Sequence, residues 1–161
     1  MKIDKFINAL YKCEESKDIR DIENYLDIER PLINRRFKED GDMAIVSQEK
    51  NVEVFFSDIS KFNKNLDENQ DCQIIFSGIQ LAKDSSIHLP FNLSFDDNLE
   101  TAIEKIGEKP NYTGKIFPKK IWHLKNKIGK DYLLYLSFDE DYTKILGATI
   151  QTYDNTIEYL S

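Results

Sequence analysis

The stretch Leu89–Pro110, LPFNLSFDDNLETAIEKIGEKP, constrains the fold most, because it marks both ends of a helix and the chain leading into it. Leu89, Phe91, Leu93 and Phe95 alternate with Pro90, Asn92 and Ser94, the period of a half-buried extended segment. Asp97 then stands where a helix cap belongs, with Glu100 three residues later as its capping-box partner. Leu99, Ala102, Ile103 and Ile106 fall on one helical face. Gly107 suits the left-handed position after the last turn, and Pro110 prevents continuation.

The rest of the chain divides by the same logic. Ile3, Phe6, Ile7 and Leu10 predict an amphipathic helix over residues 3–12. Ser16 or Asp18 caps a second helix carrying Ile19, Ile22 and Leu26, and Pro31 ends that region. Leu32 to Gly41 is densely charged and reads as a connection with little regular structure. Strands are expected at Met43–Ser47, at Val52–Ser57, and at Cys72–Leu81 with a bulge near Gly78. Asp58 to Asp71 lacks apolar periodicity and reads as a long loop, or a loop with one short turn. After Pro110 comes the connection NYTGKIFPKK, then strands at Ile121–Lys125, Tyr132–Phe138 and Ile145–Thr152. A turn centred on Gly129 joins the first two of these. The tail from Tyr153 to Ser161 is a candidate edge strand. The fold class is therefore α+β.

The two halves match when shifted. A shift of 80 places Ile19, Ile22 and Leu26 on Leu99, Ala102 and Ile106. A shift of 82 places Val52, Val54 and Phe56 on Leu134, Leu136 and Phe138, and a shift of 71 places Ile79 and Gln80 on Ile150 and Gln151. Loops absorb the changing shift. Residues 1–81 and 82–161 are thus expected to be tandem modules, each a helix with an antiparallel sheet, fused into one compact unit.

Charge narrows the partners. The formal net charge is −7 and the sequence pI about 4.9. Residues 1–81 carry 17 Asp and Glu against 12 Lys and Arg, while residues 82–161 carry 12 against 10. Phosphate repulsion disfavours nucleic acid, and a basic protein partner is compatible. No apolar run reaches the ~20 residues of a membrane helix. The N-terminus reads as an amphipathic helix, not a signal peptide, so a cytoplasmic location is expected with Cys13 and Cys72 reduced. Buried free thiols are the reading of that pair.

A capped helix ending Gly-x-x-Pro, a Trp-containing strand at Trp122, a strand ending Phe138-Asp139 and a closing strand at Ile145–Ile150 resemble the small SmpA/OmlA lipoprotein module. Two such modules in tandem resemble the architecture of the β-lactamase-inhibitor protein family. The stretch Leu89–Pro110 is also similar to a motif of bacterial immunity proteins in polymorphic-toxin and contact-dependent inhibition systems. That motif runs roughly LPFGLSF, capped helix, LG-x-P; Asn92 stands here for its usual glycine and Ile106-Gly107 for its Leu-Gly. The resemblance covers about residues 89–150, and the lipobox cysteine and export signal of the lipoproteins are missing. It implies a cytoplasmic protein that binds a cognate toxin and blocks it. A scaffold or assembly module with the lipoprotein-like fold is the alternative.

No residue constellation points to catalysis, a metal or a cofactor. His88 and His123 have no nucleophile or carboxylate at a helpful spacing, and with Cys13 and Cys72 they form no ligand pattern. Six lysines, Lys115, Lys119, Lys120, Lys125, Lys127 and Lys130, surround one hairpin and read as edge protection. The strands carry the stronger signal. If Val52, Val54, Phe56, Leu134, Leu136 and Phe138 face the helices, period 2 turns Phe55, Leu133 and Tyr135 outward. That face is either covered by another element or is a docking surface. Under the resemblance, Glu53, Phe55 and Tyr135 contact the toxin through the sheet face, and Asp139, Glu140 and Asp141 through a turn. Asp67, Glu68 and Asp71 form a second acidic group.

Overall fold

A computed structural model describes residues 1–62, 66 and 72–153. The second acidic group and nearly all of the tail considered as an edge strand lie outside these residues.

The N-terminal region holds three helices, α1 (Ile3–Ala9), α2 (Lys17–Leu26) and α3 (Arg35–Asp40). Ser16 caps α2, its hydroxyl accepting from the Ile19 amide, and Ile19, Ile22 and Leu26 form the buried stripe. Helix α3 corrects the expectation of an irregular connection. The Asn34 side chain accepts from the Phe37 amide at 2.8 Å, Gly41 closes the helix at φ +68°, and Phe37 alone is buried. One apolar anchor among charged residues leaves no periodicity to read, yet cap and terminator suffice for a short helix.

Among the described residues seven strands form one antiparallel sheet in the order β1-β2-β3-β7-β6-β5-β4. They are β1 (Asp42–Ser47), β2 (Val52–Asp58), β3 (Ile74–Ala82), β4 (Tyr112–Thr113), β5 (Lys119–Lys125), β6 (Asp131–Phe138) and β7 (Ile145–Thr152). The architecture is α+β. Each half forms a meander whose last strand lies mid-sheet, and β3 and β7 pair there with Ile79 opposite Ile150. Those two residues are also related by the shift of 71. The bulge falls where β3 sets Phe55 opposite Gly78 and Phe56 opposite Phe76, leaving Ser77 as the extra residue.

Beyond Gly78, the other edge of β3 is taken by the connection between α1 and α2. Tyr11 N–H donates to Phe76 O at 3.0 Å, Phe76 N–H to Lys12 O at 2.9 Å, and Cys13 bridges Ile75. There Cys13 and Cys72 form a disulfide. The expectation of two free thiols is thereby corrected. A separation of 59 residues conceals the pairing, which depends on Tyr11–Glu14 lying beside β3.

The core lies on one face of the sheet. Val52, Val54, Phe56, Ile79, Leu134, Leu136, Phe138 and Ile150 pack with Phe6, Ile19, Ile22, Leu26, Phe37 and Ala102 in a single apolar cluster. Burial of this kind contributes about 1.5–3 kcal/mol for each large side chain. Trp122 is fully buried and donates its indole N–H to Glu108 O at 2.9 Å.

The motif region departs from its expected form in two places. Pro90–Asn92 is a tight 3-10 turn, not an extended segment, and Phe91 and Asn92 both sit at left-handed φ, +58° and +55°. Leu89 and Leu93 are buried while Phe91 is exposed, so the alternation breaks at its middle. Helix α4 (Leu99–Ile106) is capped by Asn98, which accepts from the Thr101 amide at 2.8 Å. Asp97, expected as the cap, accepts instead from the Ser94 amide at 2.7 Å and pairs with Lys105. Gly107 closes α4 at φ +90°, as expected.

Candidate functional site

The ladder defines which side chains share the outer face. One row across the sheet reads Val46, Glu53, Gln80, Thr149, Tyr135, Ile121 and Tyr112. The next reads Ala44, Phe55, Gly78, Gln151, Leu133 and His123. Glu53, Phe55 and Tyr135 therefore lie on one face, as the period-2 pattern predicts. Glu53 and Tyr135 share a row three strands apart, roughly 14 Å. Each of the three is half-buried.

The face is not uniformly open. Leu133 and Ile121 are as buried as core residues yet stand apart from the main cluster. Phe55 packs onto Gly78, where an added Cβ would come within 3.2 Å of its ring and 2.6 Å of the Ile150 carbonyl. Glycine here makes room for the Phe55 ring and for close strand approach. The six lysines gather around β5, which the two-residue β4 borders.

The turn Asp139–Lys144 joins β6 to β7, roughly 13 Å along the strand from Tyr135. Its three acids have different roles. Asp139 Oδ1 accepts from the amides of Thr143 and Lys144, at 2.6 and 3.2 Å, and Oδ2 accepts from the Thr143 hydroxyl. The Thr143 hydroxyl bond, with the backbone amides and Lys144 adding to it, holds the Asp139 carboxyl below the usual range. This side chain builds the turn. Glu140 and Asp141 are exposed. The sequence signal for the difference is local: an Asp with Thr four residues on closes its own loop.

A polar cluster that the sequence reading missed lies at the far end of the same face. His123 Nε2 is 2.9 Å from Asp131 Oδ1, Lys125 approaches the same carboxylate at 3.5 Å, and the Tyr153 ring stacks on His123 at 4.1 Å. Tyr11 donates its hydroxyl to Asp131 O and accepts from the Tyr153 amide. The ladder alone brings His123 and Asp131 together across the β5–β6 hairpin. Leu133, opposite His123, offers no nucleophile. His88 lines a separate cleft of about 540 Å³ between the N-terminus and Leu89–Leu93. No cluster of three or more His, Cys, Asp or Glu suited to a metal occurs among the described residues.

A cleft of about 570 Å³ opens beside β1, lined by Arg36, Phe37 and Asp40 of α3, by Asp42–Ile45 of β1, and by Phe55. No helix among the described residues is long and apolar enough to cross a membrane. No protein-family model, curated protein or solved structure matches the chain.

Proposed function

We propose that the protein is an immunity protein that binds a cognate bacterial toxin and neutralises it, with no chemistry of its own. The observation that carries the reading is the backbone at Asn92. Asn92 stands where the immunity-protein motif has glycine, and its φ is +55°. Only glycine takes that conformation freely, and asparagine is among the side chains that tolerate it best. The departure from the motif thus keeps the backbone requirement that the motif expresses. The same reading holds residues 1–81 and 82–161 to be duplicated modules, supported by the matching meanders and the pairing of Ile79 with Ile150.

The proposed docking surface is the outer sheet face. Phe55 and Tyr135 would serve as anchors, with Glu53, Glu140 and Asp141 steering a basic toxin. Nucleic acid and membrane are not proposed as partners. Action in the cytoplasm belongs to the proposal, although the Cys13–Cys72 bond opposes it, since disulfides persist mainly in oxidising compartments. Trapping the thiol state in intact cells tests it, reduced cysteines being the expected result and a full disulfide the one that overturns it.

Co-expression with the product of the gene immediately upstream, which this reading takes to be the toxin, tests the function. Restored growth and a co-purifying complex are expected. Continued toxicity with no complex would overturn the proposal.

A further inference from the structure

We propose that β1 is a self-association edge, at which two copies of this chain pair β1 to β1 antiparallel about Ala44 and continue the sheet across a twofold axis. This goes beyond toxin binding and does not depend on it.

The argument starts from the hydrogen-bond phase of β1. Asp58 N–H donates to Gly41 O at 2.8 Å, so Gly41 and Asp58 form a hydrogen-bonded pair in the β1–β2 register. Bonded and non-bonded pairs alternate in an antiparallel ladder. Met43, Ile45 and Ser47 therefore bond to β2, and the amides and carbonyls of Asp42, Ala44 and Val46 point away from it. Among the described residues β1 ends the sheet, so these groups face an edge that no described strand pairs.

The opposite end of the sheet carries two defences that this one lacks. There β4 has only two residues and lysines surround its neighbour, the usual defences against strand addition. Asp42–Ser47, DMAIVS, has neither Lys nor Pro, and Val46 is 50% exposed.

The edge is complementary to itself. Rotation about Ala44 sets Ala44 opposite Ala44 of a second copy, Asp42 opposite Val46, and Met43 opposite Ile45. The outward groups of 42, 44 and 46 then meet those of 46, 44 and 42 in hydrogen-bonded phase. Met43 and Ile45, both half-buried apolar residues, add contact on the helix side. Local charge is balanced, because Arg36 pairs with Asp40 at 3.5 Å and Lys61 pairs with Asp42. The contact thus escapes the repulsion expected from a net charge of −7. A twofold contact of this kind closes on itself and gives dimers, not fibres.

Sedimentation velocity on the purified full chain tests the proposal, from micromolar to about 1 mM, the range expected of a small interface. A concentration-dependent dimer is expected. Ala44→Pro removes only an outward N–H, and Val46→Lys adds a charge at the edge. Each should weaken association at least about 10-fold with an unchanged circular dichroism spectrum. Ala44→Cys should cross-link to its own copy with a short bismaleimide. A monomer throughout the range overturns the proposal. So does a dimer that Val46→Lys leaves intact, or one in which Ala44→Cys fails to cross-link.

Discussion

The Lys105 ammonium lies 2.8 Å from Asp97 Oδ2 and also donates to the Asn92 carbonyl at 3.0 Å. One side chain on the last turn of α4 thus holds both the left-handed turn and the carboxylate that precedes the helix. Asp97 is only 11% exposed and its other partner is the Ser94 amide, so the pair is better placed than a surface ion pair. Lys105→Ala should lower stability by about 1–2 kcal/mol. Combined with Asp97→Asn it should cost less than the sum of the two single changes. Urea unfolding of the four proteins measures the coupling.

The left-handed turn makes its own prediction. Asn92→Gly should be neutral or slightly stabilising, because glycine accepts φ +55° without a Cβ penalty. Asn92→Val should cost about 1–2 kcal/mol. Equal midpoints for the two variants would remove the backbone argument for the motif.

These two contacts show how much of the fold the sequence holds. Spacing alone places α2, β2, β6 and β7, because their apolar periods are long and uninterrupted. The outer-face grouping of Glu53, Phe55 and Tyr135 follows from the same period. The cap of α4 shifts from Asp97 to Asn98 because a competing partner, Lys105, is eight residues away and invisible to a capping rule. Helix α3 escapes detection because Phe37 is its only apolar anchor. Strand order and the Cys13–Cys72 bond depend on which distant segments meet, and no local pattern encodes that. The His123–Asp131 pair depends on the exact register of the β5–β6 hairpin, which its Gly129 turn alone does not set.

The disulfide should stabilise the fold through the unfolded chain. Closing a loop with a separation of 59 residues corresponds to about 4 kcal/mol in the chain-entropy account. Reduction, or Cys13→Ser with Cys72→Ser, should lower the urea midpoint without changing the strand content. Intact-mass measurement before and after thiol alkylation checks the bond itself. Full alkylation of the untreated, folded protein would contradict it.

Glu23 carries a penalty at neutral pH. It is 8% exposed on α2 and its Oε1 has no hydrogen-bond partner. Burial pushes its carboxyl up, Arg30 and Arg20 oppose the shift, and Glu14 adds to it. A carboxyl raised in the folded state binds its proton more tightly there than when unfolded. It therefore weakens the fold above its folded value, and the loss disappears as pH falls towards the ordinary 4.5. Glu23→Gln should stabilise the protein at pH ~7 and lose that advantage near pH ~4. Asp58 has the opposite sign. Bonds to Ser60 lower its carboxyl, so its contribution is present above about 3.8 and lost as pH falls through the lower folded value. Urea midpoints across pH for Glu23→Gln and Asp58→Asn separate the two effects.

The proposed toxin-binding surface is tested by kinetics, because its parts would act on different rates. Rim charges chiefly set association, and buried aromatic anchors set dissociation. Asp139 is unsuitable for the charge test, since its carboxylate holds the amides of Thr143 and Lys144 and its loss would disturb the turn. Glu140 and Asp141 are exposed, so Glu140→Lys with Asp141→Lys reverses charge with the turn intact. That pair should slow association most at low salt, with the difference shrinking near ~0.15 M as screening grows. Tyr135 is half-buried between Thr149 and Ile121 in the centre of the face. Tyr135→Ala should speed dissociation and cost about 2 kcal/mol or more as a hot spot. Phe55→Ala should act in the same direction, and because Phe55 packs on Gly78 its fold must be checked by thermal melting. Surface-plasmon measurements with the purified toxin domain decide the matter. If the charge reversal, Tyr135→Ala and a folded Phe55→Ala all bind as the unaltered protein does at every salt concentration, the outer sheet face is not where the toxin docks.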